Sequence, residues 1–358
     1  MSSPATSTPV SLPLTRSTIA INRTGNYSVI EKITLPLRPH PSDIVVKTEY
    51  LGINFLDTVF LLLRLHIRSG AYGQPPFPAE LGIEASGTVV ALPTDPRVLN
   101  NPDYKKRAYT VGSRVALLSQ DGVHSDYVAL PWDYVHPVPQ DVSSKVAGAV
   151  LLQGLTALSF VEEAYPVKKG DTVLIHTVAG GTGLMFAQLS KARGATVIGT
   201  TSTKEKAEIA KAHGADHVIL YKNENTVQRV LELTNGDGVD AVFDGVGKDT
   251  FYANFKLLKR KGTFVSLGDA SGPVPHISPG MLGQNNLKFI RAAVPNYFVT
   301  PDERYHYTTW LWKTVQEGKL KAVVHKEYPF TAQGAQDAHR DLLASKTSGK
   351  LLLKVEDN

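Results

Sequence analysis

Cysteine is missing altogether: none of the 358 residues is one. That absence excludes a disulfide framework, a thiolate nucleophile and any cysteine-ligated zinc. A dominant charge of one sign is missing too. The 38 basic and 33 acidic residues are spread along the chain and leave a formal net charge of +5. This mildly basic balance suits an anionic ligand and falls short of a nucleic-acid arm. No uninterrupted apolar run approaches the roughly 20 residues that span a bilayer; the longest, Val59-Phe60-Leu61-Leu62-Leu63, is cut by Arg64. Residues 1–16 are rich in Ser, Thr and Pro and contain no acid, yet they lack the charged start and apolar core of a secretory signal. They read as a disordered tail, with a mitochondrial import segment as the alternative. The expected compartment is the cytoplasm, with no membrane partner.

What is present is an ordinary globular composition, 42% hydrophobic and 20% charged, in a chain long enough for two domains with separate cores. Residues 17–144 read as mainly β. The runs 44–48, 87–90 and 114–118 are rich in β-branched residues and bounded by turn formers, and 93–112 reads as an exposed loop. Near residue 145 the rhythm changes. Helical periodicity over 145–164 leads to a strand at 171–176, a glycine turn and a helix at 184–192. Strands at 196–200, 217–220, 239–243 and 263–267 then alternate with helices at 204–213, 226–233 and 250–258. Such alternation is how a parallel sheet with crossover helices reads, so residues 145–288 are expected to form a doubly wound α/β (Rossmann) domain. A strand at 287–292, helices at 303–317 and 335–343, and a strand at 351–355 follow. They are too few for a third domain, so 289–358 is expected to complete the first.

The strongest local signal is Val178-Ala179-Gly180-Gly181-Thr182-Gly183, between the strand ending at His176 and the next helix. Glycines there permit a sharp turn and let backbone N–H groups approach a pyrophosphate at the positive end of the helix dipole. Val178 stands where G-x-G-x-x-G has its first glycine, so the placement carries more weight than the motif. NAD sites hold an Asp or Glu about 20 residues further on, where it accepts from the ribose 2′-hydroxyl. Here that strand ends Gly199-Thr200-Thr201-Ser202-Thr203, with no acid, and is followed by Lys204 and Lys206, while Tyr221 closes the next strand. Hydroxyls and ammonium groups suit a phosphate dianion, so NADPH is expected over NADH. Glu205, between the lysines, works against that reading.

Gly52-Ile53-Asn54-Phe55-Leu56-Asp57-Thr58, Arg68-Ser69-Gly70-Ala71-Tyr72, Leu152-Gln153-Gly154-Leu155-Thr156-Ala157 and the glycine turn recur together with Asp244-Gly245-Val246-Gly247 and Ser266-Leu267-Gly268. On these residues the chain resembles the quinone oxidoreductase branch of the medium-chain dehydrogenases, to which zeta-crystallin belongs, over nearly its whole length from about Thr18. The resemblance implies a GroES-like catalytic domain beside the Rossmann domain, with the nicotinamide in a cleft between them. By it, Asn54 and Tyr72 would face nicotinamide and substrate, and Gly180, Gly181, Thr182 and Gly183 would hold the pyrophosphate. Ser202, Lys206 and Tyr221 would bind the 2′-phosphate. Val246, Gly268 and Phe298 would line the nicotinamide half, and Lys350 would close the site. It also implies a homodimer, through a sheet edge of the cofactor domain.

Zinc-dependent relatives carry Cys, His and Glu ligands in the first domain. Here Ile83 precedes Glu84 where they have a histidine, and the 11 histidines include no H-E-x-x-H pair, so no metal is expected. An electron-poor quinone or conjugated enone accepts hydride without a Lewis acid, whereas alcohol oxidation needs one or a base. The expected activity is therefore NADPH-dependent quinone reduction, with Asn54 and Tyr72 orienting the reactants. An enoyl-thioester reductase and a non-catalytic NADPH-binding protein that binds RNA remain the rival readings. The apolar stretch 59–67 is longer than the resemblance leads one to expect; it reads either as a buried helix extension or as an insertion beside the substrate cleft that reshapes the pocket, forms a partner surface or impairs folding.

Overall fold

The computed structural model describes residues 11–62, 77–120 and 122–356, with the side chains of 59–62 left aside. Contacts divide the chain into two units. The first comprises the described residues up to Gly148, Glu327–Leu343 and those from Leu352 on; the second comprises Ala149–Lys326 and Ala344–Leu351.

The first unit is β-rich. Strands β1 (Thr15–Ile21), β2 (Ile30–Pro36) and β4 (Ala79–Glu80) form a sheet ordered β2-β1-β4. Strands β3 (Asp43–Ile53), β5 (Glu84–Ala91), β6 (Arg114–Leu118) and β8 (Val135–Pro137) pair antiparallel in sequence, and β7 (Tyr127–Pro131) pairs β3. The three expected strands lie within β3, β5 and β6. Thr15 and Arg16 correct the expected tail: Thr15 opens β1, and Arg16 reaches Ser125 at 2.5 Å and Glu80 at 2.7 Å. Residues 1–10 lie outside the described residues.

The expected loop 93–112 is also corrected. It holds two short helices, Pro96–Leu99 and Pro102–Lys106, each with Pro in its first turn and capped by Asp95 or Asn101. Tyr104 is buried edge-on against Trp132 at 5.9 Å, which ties the segment down.

The second unit is a six-stranded sheet. β9 (Thr172–Ile175), β10 (Thr196–Thr201), β11 (His217–Leu220), β12 (Val239–Asp244), β13 (Leu258–Ser266) and β14 (Lys288–Arg291) lie in the order β11-β10-β9-β12-β13-β14, and every pairing is parallel. This is the doubly wound nucleotide-binding order. Its strands are apolar runs because both faces are covered: Leu174, Ile198, Val242, Phe251 and Phe264 form one buried cluster. Residues 289–326 belong here and not to the first unit, as the sequence boundary had it. The physical reason is packing: β14 extends this sheet from β13, and Leu311 of the helix Pro301–Gln316 fills the space over Gly154.

The helix Ser144–Ser159 continues through a wider turn, Phe160–Ala164, and over these residues is long and apolar enough to cross a membrane, a run not recognised in the sequence. Most of it is buried within the protein, as in a core helix. The last two strands are β15 (Val324–Pro329) and β16 (Lys350–Lys354), and β16 lies between β15 and β3.

In the first unit, the helix Ala332–Leu343 covers β2 and the turn Tyr27–Val29. It carries His339, fully buried with no hydrogen-bond partner at either ring nitrogen. Burial lowers its pKa from 6.5 to about 4. Between these values the unfolded chain binds the proton and the folded one does not, so stability present above pH 6.5 is lost as pH falls toward 4. The loss is roughly 3 kcal/mol. Urea titrations across this window should show that fall, and His339→Leu should flatten it.

Candidate functional site

Because all six strands of the second unit run the same way, their carboxyl ends gather on one side, where ligands of such sheets bind. At the end of β9 the chain reverses at Thr177, which adopts a left-handed φ of 53°. The helix Gly181–Ala192 then starts from Gly180 without a side-chain cap. The N–H groups of its first turn are left for an anion or water.

The structure gives the glycines reasons other than access for a ligand. A Cβ on Gly183 would overlap the Thr177 carbonyl oxygen and sit 2.8 Å from the Val178 Cα, so this glycine lets the first turn of the helix close over the reversal after β9. A Cβ on Gly181 would run into the side-chain amide of Gln153. Gly180 would meet one atom, the Thr177 oxygen at 3.2 Å.

At the end of β10, Thr200 and Thr201 are buried, Ser202 is half-buried, and Thr203 caps the helix Lys204–Ala212. Lys206 Nζ donates to the Ser345 carbonyl at 2.6 Å. Burial, then the positive charge of Lys222, pushes the Lys206 pKa down. An anion bound at Lys206 would offset both effects. Lys222 was not singled out in the sequence, although it directly follows Tyr221. Tyr221 itself is exposed, and its N–H donates to the Thr201 carbonyl at 3.1 Å. Ser345 belongs to a segment that next reaches the glycine turn, where the Gly349 N–H donates to the Ala179 carbonyl at 3.0 Å and Gly349 bridges to Gly180. Lys350 follows, almost wholly buried.

Beyond β12 and β13, two loops are stitched together. The Leu267 N–H donates to the Asp244 carbonyl, the Ala270 N–H to Gly245, and both the N–H and hydroxyl of Ser271 to Val246, the last two at 2.8 Å. Gly268 lies against Gly245, where a Cβ would be 2.8 Å from the Gly245 carbonyl oxygen. The Gly268 carbonyl accepts from Arg291, which also pairs with Asp269. Val246 and Gly268 are therefore brought together. Phe298 is buried with its ring 5.8 Å from Tyr307.

Asn54 belongs to the first unit. It is buried, with Nδ2 donating to the Gly52 carbonyl at 2.9 Å and to Glu84 Oε2 at 3.0 Å, and its backbone N–H donating to Asp57 Oδ2 at 2.7 Å. Glu84 and the neighbouring Ile83 are buried too. Among the described residues, no three His, Cys, Asp or Glu side chains are grouped as a metal site. Tyr72 lies outside the described residues, as does the apolar stretch apart from the backbone of the helix Phe55–Leu62.

A Rossmann sheet joined to a GroES-like β unit defines the class of medium-chain dehydrogenases and reductases. Residues 40–140 match the family described as alcohol dehydrogenase GroES-like domain, and 181–312 the one described as zinc-binding dehydrogenase. A probable quinone oxidoreductase of Schizosaccharomyces pombe is 37% identical over 341 residues, covering 95% of this chain and 97% of the relative. A 2-haloacrylate reductase of a Burkholderia species is 33% identical over 328 residues, covering 88% and 91%. The crystal structure of Escherichia coli quinone oxidoreductase complexed with NADPH superposes with a TM-score of 0.83 at 32% identity, covering 94% of this chain and 99% of that one. The chain belongs to the quinone oxidoreductase family.

The packing argument separates the glycines by experiment. Gly183→Ala should cost about 1–3 kcal/mol, because backbone atoms must move to make room. Gly180→Ala, whose Cβ would meet only the Thr177 oxygen at 3.2 Å, should cost less, and urea unfolding of the two variants checks the contrast.

Proposed function

We propose that this protein reduces quinones with NADPH, by hydride transfer and without a metal. The observation that carries the reading is the acid-free end of β10, where Ser202 is half-buried and Lys206 bonds the Ser345 carbonyl in the segment that goes on to bridge Gly180 at the start of the uncapped helix Gly181–Ala192. This donor set fits a dinucleotide with a 2′-phosphate: the first-turn N–H groups would take the pyrophosphate, and Ser202, Lys206, Tyr221 and Lys222 the phosphate. Bound NADPH supplies a hydride from C4 of its nicotinamide. The stitched loops bearing Val246 and Gly268, with Phe298, would shape the nicotinamide half, Asn54 and Tyr72 would orient the reactants, and Lys350 would close the site.

The chain's own ligand chemistry favours a reaction without zinc. It contains no cysteine, and Ile83 stands before Glu84. A quinone accepting hydride becomes a delocalised anion that water can protonate, so the protein's task is to orient two reactants and exclude solvent. Reduction of an electron-poor alkene is the second reading, favoured by the 2-haloacrylate reductase relative. We further propose a cytoplasmic homodimer joined along β14, which among the described residues pairs only with β13.

Addition of an aromatic quinone to enzyme and NADPH should bleach the nicotinamide absorbance; a folded, NADPH-binding protein inert toward quinones and conjugated carbonyls would overturn the activity. Lys206→Glu should weaken NADPH binding about 10- to 100-fold and leave NADH binding nearly unchanged, since one charge-assisted contact is lost. Equal wild-type affinity for the two cofactors would refute the 2′-phosphate assignment. Because its pKa is already lowered, the positive charge of Lys206 is present below that value and lost above it. Affinity for 2′,5′-ADP should therefore fall with rising pH earlier than an ordinary lysine would allow.

A further inference from the structure

Beneath the strand ends of the second unit lies a row of buried polar side chains that the functional reading leaves unused. His176 follows β9, Thr200 lies near the end of β10, Asp244 ends β12, and Asn254 sits on the helix Phe251–Leu257; all four are buried. Their hydrogens can be assigned from one end. Asp244 Oδ1 accepts from the Val246 N–H at 2.6 Å, while Oδ2 accepts from the Thr250 hydroxyl at 2.6 Å and from Asn254 Nδ2 at 2.8 Å. With its amino group turned to a carboxylate, Asn254 presents Oδ1 to His176 Nε2 at 2.8 Å. That oxygen can only accept, so the imidazole carries its hydrogen on Nε2. His176 Nδ1 bonds the Thr200 hydroxyl at 3.1 Å, whose oxygen accepts from the Thr177 N–H at 3.3 Å. Flipping the Asn254 amide would set its oxygen against the carboxylate, so the amino group faces Asp244.

We infer that His176, Asn254 and Asp244 are positioning residues, forming a buried relay that holds the Val246 loop in register with the glycine turn and the end of β10. The inference rests on the NADPH reading above and deepens it. One end of the relay is at Thr177 and Thr200, next to the segments that would hold pyrophosphate and 2′-phosphate. The other end is the Val246 N–H, on the loop that would face the nicotinamide. Asp244 fixes that loop directly, and the bonds from Ser271 to Val246 and from Ala270 to Gly245 pass the placement on to the loop bearing Gly268. A misplacement of about 1 Å at reacting atoms costs on the order of 100-fold in rate. The relay therefore acts on hydride transfer, and the adenosine half of the cofactor is held without it.

Two substitutions at one position separate this from a plain packing role. His176→Asn retains a group at the Nδ1 position for Thr200 and cuts the link to Asn254. His176→Gln retains an N–H at the Nε2 position for Asn254. Expected for His176→Asn is a fall in kcat of about 10- to 100-fold, with 2′,5′-ADP affinity within about twofold of wild type. A larger primary isotope effect with C4-deuterated NADPH should accompany it. His176→Gln should recover most of the kcat, and Asp244→Asn, which turns an amino group toward the Val246 N–H or toward Thr250 and Asn254, should resemble His176→Asn. Should His176→Asn not fold, Thr250→Val loosens the same carboxylate from the half-buried side and should show the same split. An unchanged kcat per folded molecule, or a loss of 2′,5′-ADP affinity matching the loss of kcat, overturns the relay alone. A wild-type protein that neither binds nor oxidises NADPH overturns the functional reading, and the relay with it.

Discussion

The parallel register of β9 to β14 is the constraint on which the second unit depends. With every strand running the same way, each return must cross by a helix, and each carboxyl end opens to one side. The glycine turn, the acid-free end of β10, and the loops after β12 and β13 are distant in sequence yet share that side. β9, between β10 and β12, is where the winding reverses. There the chain places its uncapped helix start, with Thr177 in a strained backbone conformation to make the turn.

That arrangement asks for polar groups beneath the strand ends in an otherwise apolar layer. Unpaired, each would cost about 1–3 kcal/mol. His176, Asn254, Asp244, Thr200 and Thr250 satisfy one another in one connected chain of hydrogen bonds. His339 in the first unit is the contrast: equally buried, it has no such partner and is held in its uncharged form by desolvation.

Much of the second unit was legible from periodicity. Short β-branched runs alternating with helical ones marked β9 to β13, because strands covered on both faces must be apolar throughout. The first unit was less legible. β2 is an edge strand of mixed exposure, and the segment 93–112 looked like loop because its two helices are each about one turn long; Tyr104 and Trp132, far apart in sequence, are what fix it. The boundary at 289 also failed, because adding β14 to a sheet edge and seating Leu311 over Gly154 leave no periodic mark in the sequence.

For the candidate site, the sequence by itself determined the chemistry on offer: no thiol, no histidine before Glu84, no acid where a ribose hydroxyl would need one, and two lysines just beyond. These are matters of composition at given positions, and folding does not alter them. Tertiary structure alone decided which groups meet. It tied Lys206 to Ser345, gave Gly181 and Gly183 packing reasons for being glycine, and put His176 in the middle of a relay. Hydrogen-bond direction and steric exclusion act between residues tens of positions apart, and only the folded chain brings them within reach.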